Sequence, residues 1–144
     1  MSRGNVHVTG VDPDLPPAID PCFLNSDFDT IILLELLKFV IELGRTSSLS
    51  DIIAQRTEPG PRVASDNALI SYIRSNAAGG SHLIGTAALA PRKFGGVDSS
   101  LKVYGTSNLR IVDASIIPNH IVSHTQSSVY AISELTADMI TRSA

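Results

Sequence analysis

The chain is poor in cysteine, in aromatic residues and in charge of either sign. Cys22 is the single cysteine in 144 residues, so no internal disulfide can form. No Cys/His spacing resembles a zinc site, and no metal is expected. Trp is absent and aromatics make up only 5% of the chain. Eleven Lys+Arg against 14 Asp+Glu leave a net charge of −3. That balance lacks the basic face a phosphate backbone needs, so no nucleic-acid partner is expected. No run approaches the roughly 20 apolar residues that span a bilayer. The most hydrophobic run, Ile31 to Leu37, is broken by Glu35 and soon meets Lys38 and Glu42. The start, MSRGNVHVTG, has no apolar h-region of a secretory signal. Three signatures are also missing: G-x-G-x-x-G, G-x-x-x-x-G-K-[ST] and G-x-S-x-G. A dinucleotide fold, a phosphate loop and a serine hydrolase are therefore unsupported.

The length fits one domain of roughly 100–200 residues and can bury a core. Val6-His7-Val8 suits a short strand. Pro13, Pro16, Pro17 and Pro21 then exclude a helix interior or central strand, so segment 11–25 reads as a braced connection. Ser26 is placed to cap a helix over residues 27–43, with Asp29 in its first turn. Apolar residues on that helix occupy more than one face, which predicts burial on two sides, and Gly44 is a natural C′ residue. Residues 45–64 read as loop with a turn of helix. A second helix fits 66–78, with Asp66 as its cap and Leu69, Ile70 and Ile73 as its stripe. Residues 82–98 read as loop. Leu101–Tyr104 and Leu109–Val112 read as two strands around a turn. A last helix over 126–142 carries Val129, Ile132, Leu135, Met139 and Ile140 on one face. The short scattered strands look like pieces of a larger sheet.

Histidine comes first among residues that carry chemistry, because its proton moves near neutral pH. His82 lies between Gly79-Gly80-Ser81 and Gly85-Thr86, where backbone can approach a ligand. His124 stands just before the last helix, whose first N–H groups favour an anion or a polarised oxygen. His7 and His120 carry no such signal. Asp113 follows a predicted strand and precedes the small residues Ala114 and Ser115, a setting for holding hydroxyls or for a plain turn. Gly95-Gly96-Val97-Asp98 is glycine-rich but is not a phosphate loop. Cys22, beside Pro21, reads as structural.

The run from Ser81 to Ile140 resembles the C-terminal region of glucose–methanol–choline (GMC) flavin oxidoreductases. Five motifs occur in order: H-x-x-G-T at His82 to Thr86, G-V-D at Gly96 to Asp98, and L-x-V-x-G at Leu101 to Gly105. L-R-I-V-D-A-S-I-I-P at Leu109 to Pro118 and S-H-T-Q at Ser123 to Gln126 complete the set. Ser2-Arg3-Gly4, the prolines from Asp12 to Pro21, Ser65-Asp66 and Tyr72-Ile73-Arg74 are similar to the preceding part of the same family. The resemblance implies an α+β fold: part of the substrate-domain sheet and helices, plus the last strand–helix elements of the FAD-binding domain. Residues 1–80 would be the substrate-domain portion. Residues 81–144 would be the active-site His loops and the FAD-contacting segment.

It also implies an oxidoreductase acting on CH–OH groups. His82 would be the catalytic base and His124 the second catalytic group on the same hydroxyl, while hydride passes to flavin N5. Asp113 and Ala114 would contact the ribityl and pyrophosphate region of FAD. Thr125 and Gln126 would open the helix whose backbone N–H groups approach the flavin. The partners implied are FAD and a small-molecule alcohol. The family's N-terminal Rossmann-like βαβ unit is missing from these residues, so the chain reads as a C-terminal piece that is inactive alone. The alternative is a non-catalytic truncated product or the complementing half of a split enzyme. Apolar residues on the long helix would then lack their covering surfaces, which favours self-association.

Overall fold

A computed structural model describes residues 1–121 and 124–142. The chain divides into two compact units, Met1–Ala78 and Gly79–Ala144. Helix predominates and sheet is sparse.

In the first unit, β1 (Asn5–His7) pairs antiparallel with β2 (Ala18–Asp20), with Val6 opposite Ile19. The segment read as connection thus holds a strand between Pro17 and Pro21. Prolines flank it without needing to donate to the ladder, because this two-stranded ribbon has no central strand. Both strands are exposed throughout and add no core.

Helix α1 (Asp27–Leu43) starts where the sequence places it, yet the Ser26 side chain makes no capping hydrogen bond. Ser2 instead braces this end of the helix, without accepting from a first-turn N–H. The Ser26 N–H donates to Ser2 Oγ at 2.9 Å, and the Ser2 N–H donates to Asp29 Oδ2 at 2.7 Å. Hydrogen bonding from Ser2, side chain first and backbone second, holds the Asp29 carboxyl below its ordinary value. Gly44 is right-handed (φ −64°), so it is not a left-handed C′ glycine. The chain turns on through Arg45 and Thr46 into α2 (Ser47–Ser50).

Helix α3 (Asp66–Asn76) is capped by Ser65, whose hydroxyl oxygen accepts from the Ala68 N–H. The expected cap was one residue late. Asp66 instead pairs with Lys38 of α1 at 2.8 Å, and that contact is the main reason the Lys38 ammonium is raised above its usual range. Leu34, Leu69 and Ile73 form the core between α1 and α3, with Leu37, Ile41 and Ile70 against it. The expectation that α1 is buried on two sides is corrected here. Thr30 and Leu34 are its buried residues, while Phe28, Ile31, Leu36, Phe39 and Val40 are exposed. Composition shows how much of a helix is apolar, whereas the neighbours within the unit decide how much is covered. Leu69 is 2% exposed, so Leu69→Ala is expected to cost about 2–5 kcal/mol, read by denaturant unfolding of the chain.

In the second unit, the two predicted strands are isolated bridges. Lys102 pairs with Arg110, and Val97 bridges both Leu89 and Val103. Positive φ at Leu101, Gly105 and Asn108 bends the backbone too often for a continuous ladder. The Asp98 carboxylate holds the first bend by accepting from the Ser100 and Lys102 N–H groups. Val97, Leu101 and Ile116 form the core here, joined by Val103, Ile111, Val112 and Ile132. Helix α4 (Gln126–Arg142) contributes Ile132 to that core and buries Thr136, whose hydroxyl donates to the Ile132 carbonyl at 2.7 Å. Leu135 and Ile140, assigned to the buried face, are exposed.

Candidate active site

The candidate site is built from two segments of the second unit. His82 sits on a loop shaped by left-handed residues, Ser81 (φ 59°) before it and Gly85 (φ 85°) after it. A Cβ on Gly85 would meet the Ile117 carbonyl only at an ordinary 3.4 Å, so it is the positive φ that calls for glycine. Beyond it the loop is stitched to the segment after Asp113. The Ala87 N–H donates to Ser115 O at 3.0 Å, and the Leu89 N–H to Ile116 O at 2.8 Å. Asp113 caps the short 3₁₀ turn Ala114–Ile116, with Oδ1 accepting from the Ser115 N–H at 2.8 Å. It remains an exposed carboxylate beside two small residues.

His124 immediately precedes α4. The Thr125 carbonyl accepts the Val129 N–H at 3.0 Å and so opens the helix, of which Gln126 is the first residue. Ser123, the first residue of the S-H-T-Q motif, lies outside the described residues.

The two histidines meet. His82 Nε2 lies 2.9 Å from His124 Nδ1, across 42 positions of sequence, with the rings edge to face at 73°. His82 is half-buried and His124 exposed. Two ring nitrogens at that distance share one proton: one presents an N–H and the other a lone pair. The Thr125 hydroxyl oxygen stands 3.5 Å from the other nitrogen of His82, Nδ1. The sequence pattern points only to a backbone role for Thr125, because nothing in a linear pattern says where a hydroxyl points.

The other candidates stay outside the cluster. His7 is exposed on β1, and His120 is exposed with Nδ1 against the Ile121 carbonyl at 3.1 Å. A hydrogen bond to the Asp20 carboxylate is the chief cause that pushes the Cys22 thiol up, which makes it a poor nucleophile. Among the described residues no three His, Cys, Asp or Glu side chains gather as a metal site, and no helix is long and apolar enough to cross a membrane.

The GMC oxidoreductase family profile matches residues 1–133. A GMC oxidoreductase family protein of Malassezia sympodialis, Mala s 12, is 41% identical over 141 residues, covering 97% of this chain and 23% of that protein. Among solved structures, a variant of the Aspergillus oryzae formate oxidase studied for FAD modification superposes with a TM-score of 0.91 at 32% identity. That match covers 99% of this chain and 25% of the other. A fungal aryl-alcohol oxidase superposes with a TM-score of 0.88 at 34% identity, covering 97% and 23%. The chain therefore spans about a quarter of the length of these proteins.

Proposed function

Because this chain belongs to the GMC oxidoreductase family, we propose that it is the C-terminal part of an FAD-dependent oxidoreductase that converts small-molecule alcohols to carbonyls. The observation that carries the reading is the His82–His124 contact at 2.9 Å.

Its chemistry follows from the shared proton. An alcohol hydroxyl that enters between the rings replaces their mutual hydrogen bond with two of its own. It donates to His82 Nε2 and accepts from His124 Nδ1–H. As His82 takes the proton, electron density rises on the oxygen and on the carbon that bears it. A hydride then leaves that carbon more easily, and the C–O bond becomes C=O. A positioned base of this kind contributes typically about 10²–10⁴-fold. FAD, when bound, supplies the acceptor for that hydride.

The residues present suit such a cofactor. The exposed Asp113 carboxylate would accept hydrogen bonds from hydroxyls of the cofactor, and small Ala114 beside it would let its chain pass close. Thr125 and Gln126 offer the N–H groups that open a 17-residue helix with no acidic residue in its first turn. That end of the helix would favour negative charge on the cofactor's ring.

On the same reading, the 144 residues are inactive by themselves. They hold no G-x-G-x-x-G cradle for the ADP half of FAD. The purified chain, mixed with FAD and desalted, is expected to be colourless. The polypeptide that joins it to an ADP-binding unit is expected to be yellow and to bleach anaerobically with an alcohol. Aromatic, aliphatic and sugar alcohols form the panel. A flavin-loaded protein that no member of the panel bleaches would overturn the proposal.

The apolar side chains exposed on α1, among them Ile31, Phe39 and Val40, make self-association the expected state of the isolated chain. Light scattering after size exclusion checks this. The double change Ile31→Lys, Phe39→Lys is expected to return a monomer.

A further inference from the structure

Resting on the reading of His82 as base, we propose that Thr125 is a positioning residue. Its hydroxyl oxygen accepts the Nδ1–H of His82 and so selects the tautomer that leaves Nε2 as a lone pair.

Consecutive residues grip one ring from both sides: His124 meets Nε2 at 2.9 Å and Thr125 meets Nδ1 at 3.5 Å. A neutral imidazole carries one N–H, and the partner of one nitrogen decides what the other presents. If the hydroxyl accepts at Nδ1, then Nε2 accepts in the bridge and His124 is the donor. If the hydroxyl donates at Nδ1, then His82 Nε2 carries the proton and has nothing with which to take another. The first arrangement alone survives proton uptake. When Nε2 gains its proton, the Nδ1–H remains and its hydrogen bond becomes charge-assisted.

Thr125 is built for this role. It is 8% exposed, so its hydroxyl is largely removed from water and needs a protein partner. Its backbone is pinned because its carbonyl receives the first hydrogen bond of α4. Its β-branched side chain has few rotamers to lose. The hydroxyl therefore stands still while the His82 loop, which is not part of a helix or strand, is aligned by it.

Nitrogen-15 NMR of the histidine rings in the 144-residue chain tests the tautomer directly, without cofactor. In the wild type, His82 is expected to show a protonated Nδ1 and an unprotonated Nε2. Thr125→Val should move the tautomer ratio toward Nε2–H by roughly fivefold, the equivalent of one neutral hydrogen bond. Thr125→Ser should restore the wild-type ratio. In the flavin-loaded protein, Thr125→Val should slow flavin reduction by roughly tenfold, the low end for partners that orient a functional imidazole. Alcohol affinity should stay unchanged, and Thr125→Ser should recover the rate. A wild-type His82 protonated at Nε2, or a ratio indifferent to Thr125→Val, overturns the proposal. If Thr125→Val does not fold, the wild-type spectrum decides alone. If the tautomer results hold while His82→Ala oxidises alcohol normally, the tautomer assignment stands and only the role of His82 as base falls.

Discussion

His82→Ala, in the flavin-loaded protein, is expected to slow flavin reduction by alcohol at least 100-fold, and His124→Ala to do the same. The two changes remove different halves of one device. Without His82 the hydroxyl proton has no acceptor at Nε2. Without His124 the oxygen loses the donor that holds it, and His82 loses the ring packed at 73° against its own. General base catalysis spans about 10²–10⁴-fold, or roughly 3–5 kcal/mol of barrier. Because the two rings act on one hydroxyl, the double mutant should be little slower than either single. Anaerobic stopped-flow absorbance reads the rate, and flavin content measured beforehand separates lost chemistry from lost cofactor. Wild-type reduction rates in both single mutants would remove the pair from the chemistry.

Gly95→Ala is expected to destabilise the second unit by about 3 kcal/mol or more, at or above the upper end of ordinary overpacking. A methyl at Gly95 would run into the Ala90 carbonyl and come within 2.7 Å of both the Ala88 carbonyl oxygen and the Ala90 nitrogen. All three atoms are backbone and cannot rotate away. The same stretch carries the hydrogen bond from the Gly96 N–H to Ala88 O, which sets Val97 at the centre of the core at 0% exposure. Relieving the clash would mean moving that strand-like crossing, and with it the segment that follows His82. For a unit of this size, 3 kcal/mol lowers the melting temperature by roughly 10–20 °C. Gly60→Ala is the control, since its nearest neighbour would be Thr57 O at 3.8 Å, an ordinary contact. Scanning calorimetry of the two variants compares them. Equal melting temperatures would mean that the backbone around Gly95 yields.

The Gly95-Gly96 pair shows what the sequence could and could not say. Its spacing excludes a phosphate loop, and that exclusion needs no structure. Why two glycines stand there became legible only when the chain from Ala87 to Ala90 was seen lying on them. The helices behaved similarly. Their ranges follow from caps, breakers and periodic apolar residues, all local signals, so α1, α3 and α4 fall close to where they were expected. Details that depend on distant residues did not follow. Ser2 braces the start of α1, and Thr136 is the buried residue of α4 where Leu135 was expected. The predicted strands failed because an apolar alternation over four residues does not reveal a left-handed Leu101 or Asn108.

The ordered motifs by themselves determined the family. Those signals are written in short stretches of neighbouring residues and survive without a fold. They also determined that His82 and His124 were the histidines worth watching, from the glycines around one and the helix behind the other. Only the tertiary structure decided that these two rings share one proton and that a threonine hydroxyl stands at the remaining nitrogen of His82. The physical reason is separation. A hydrogen bond across 42 or 43 positions depends on how the 87–89 segment is stitched to 115–116 and on where α4 begins, and neither appears in the spacing of the residues it joins.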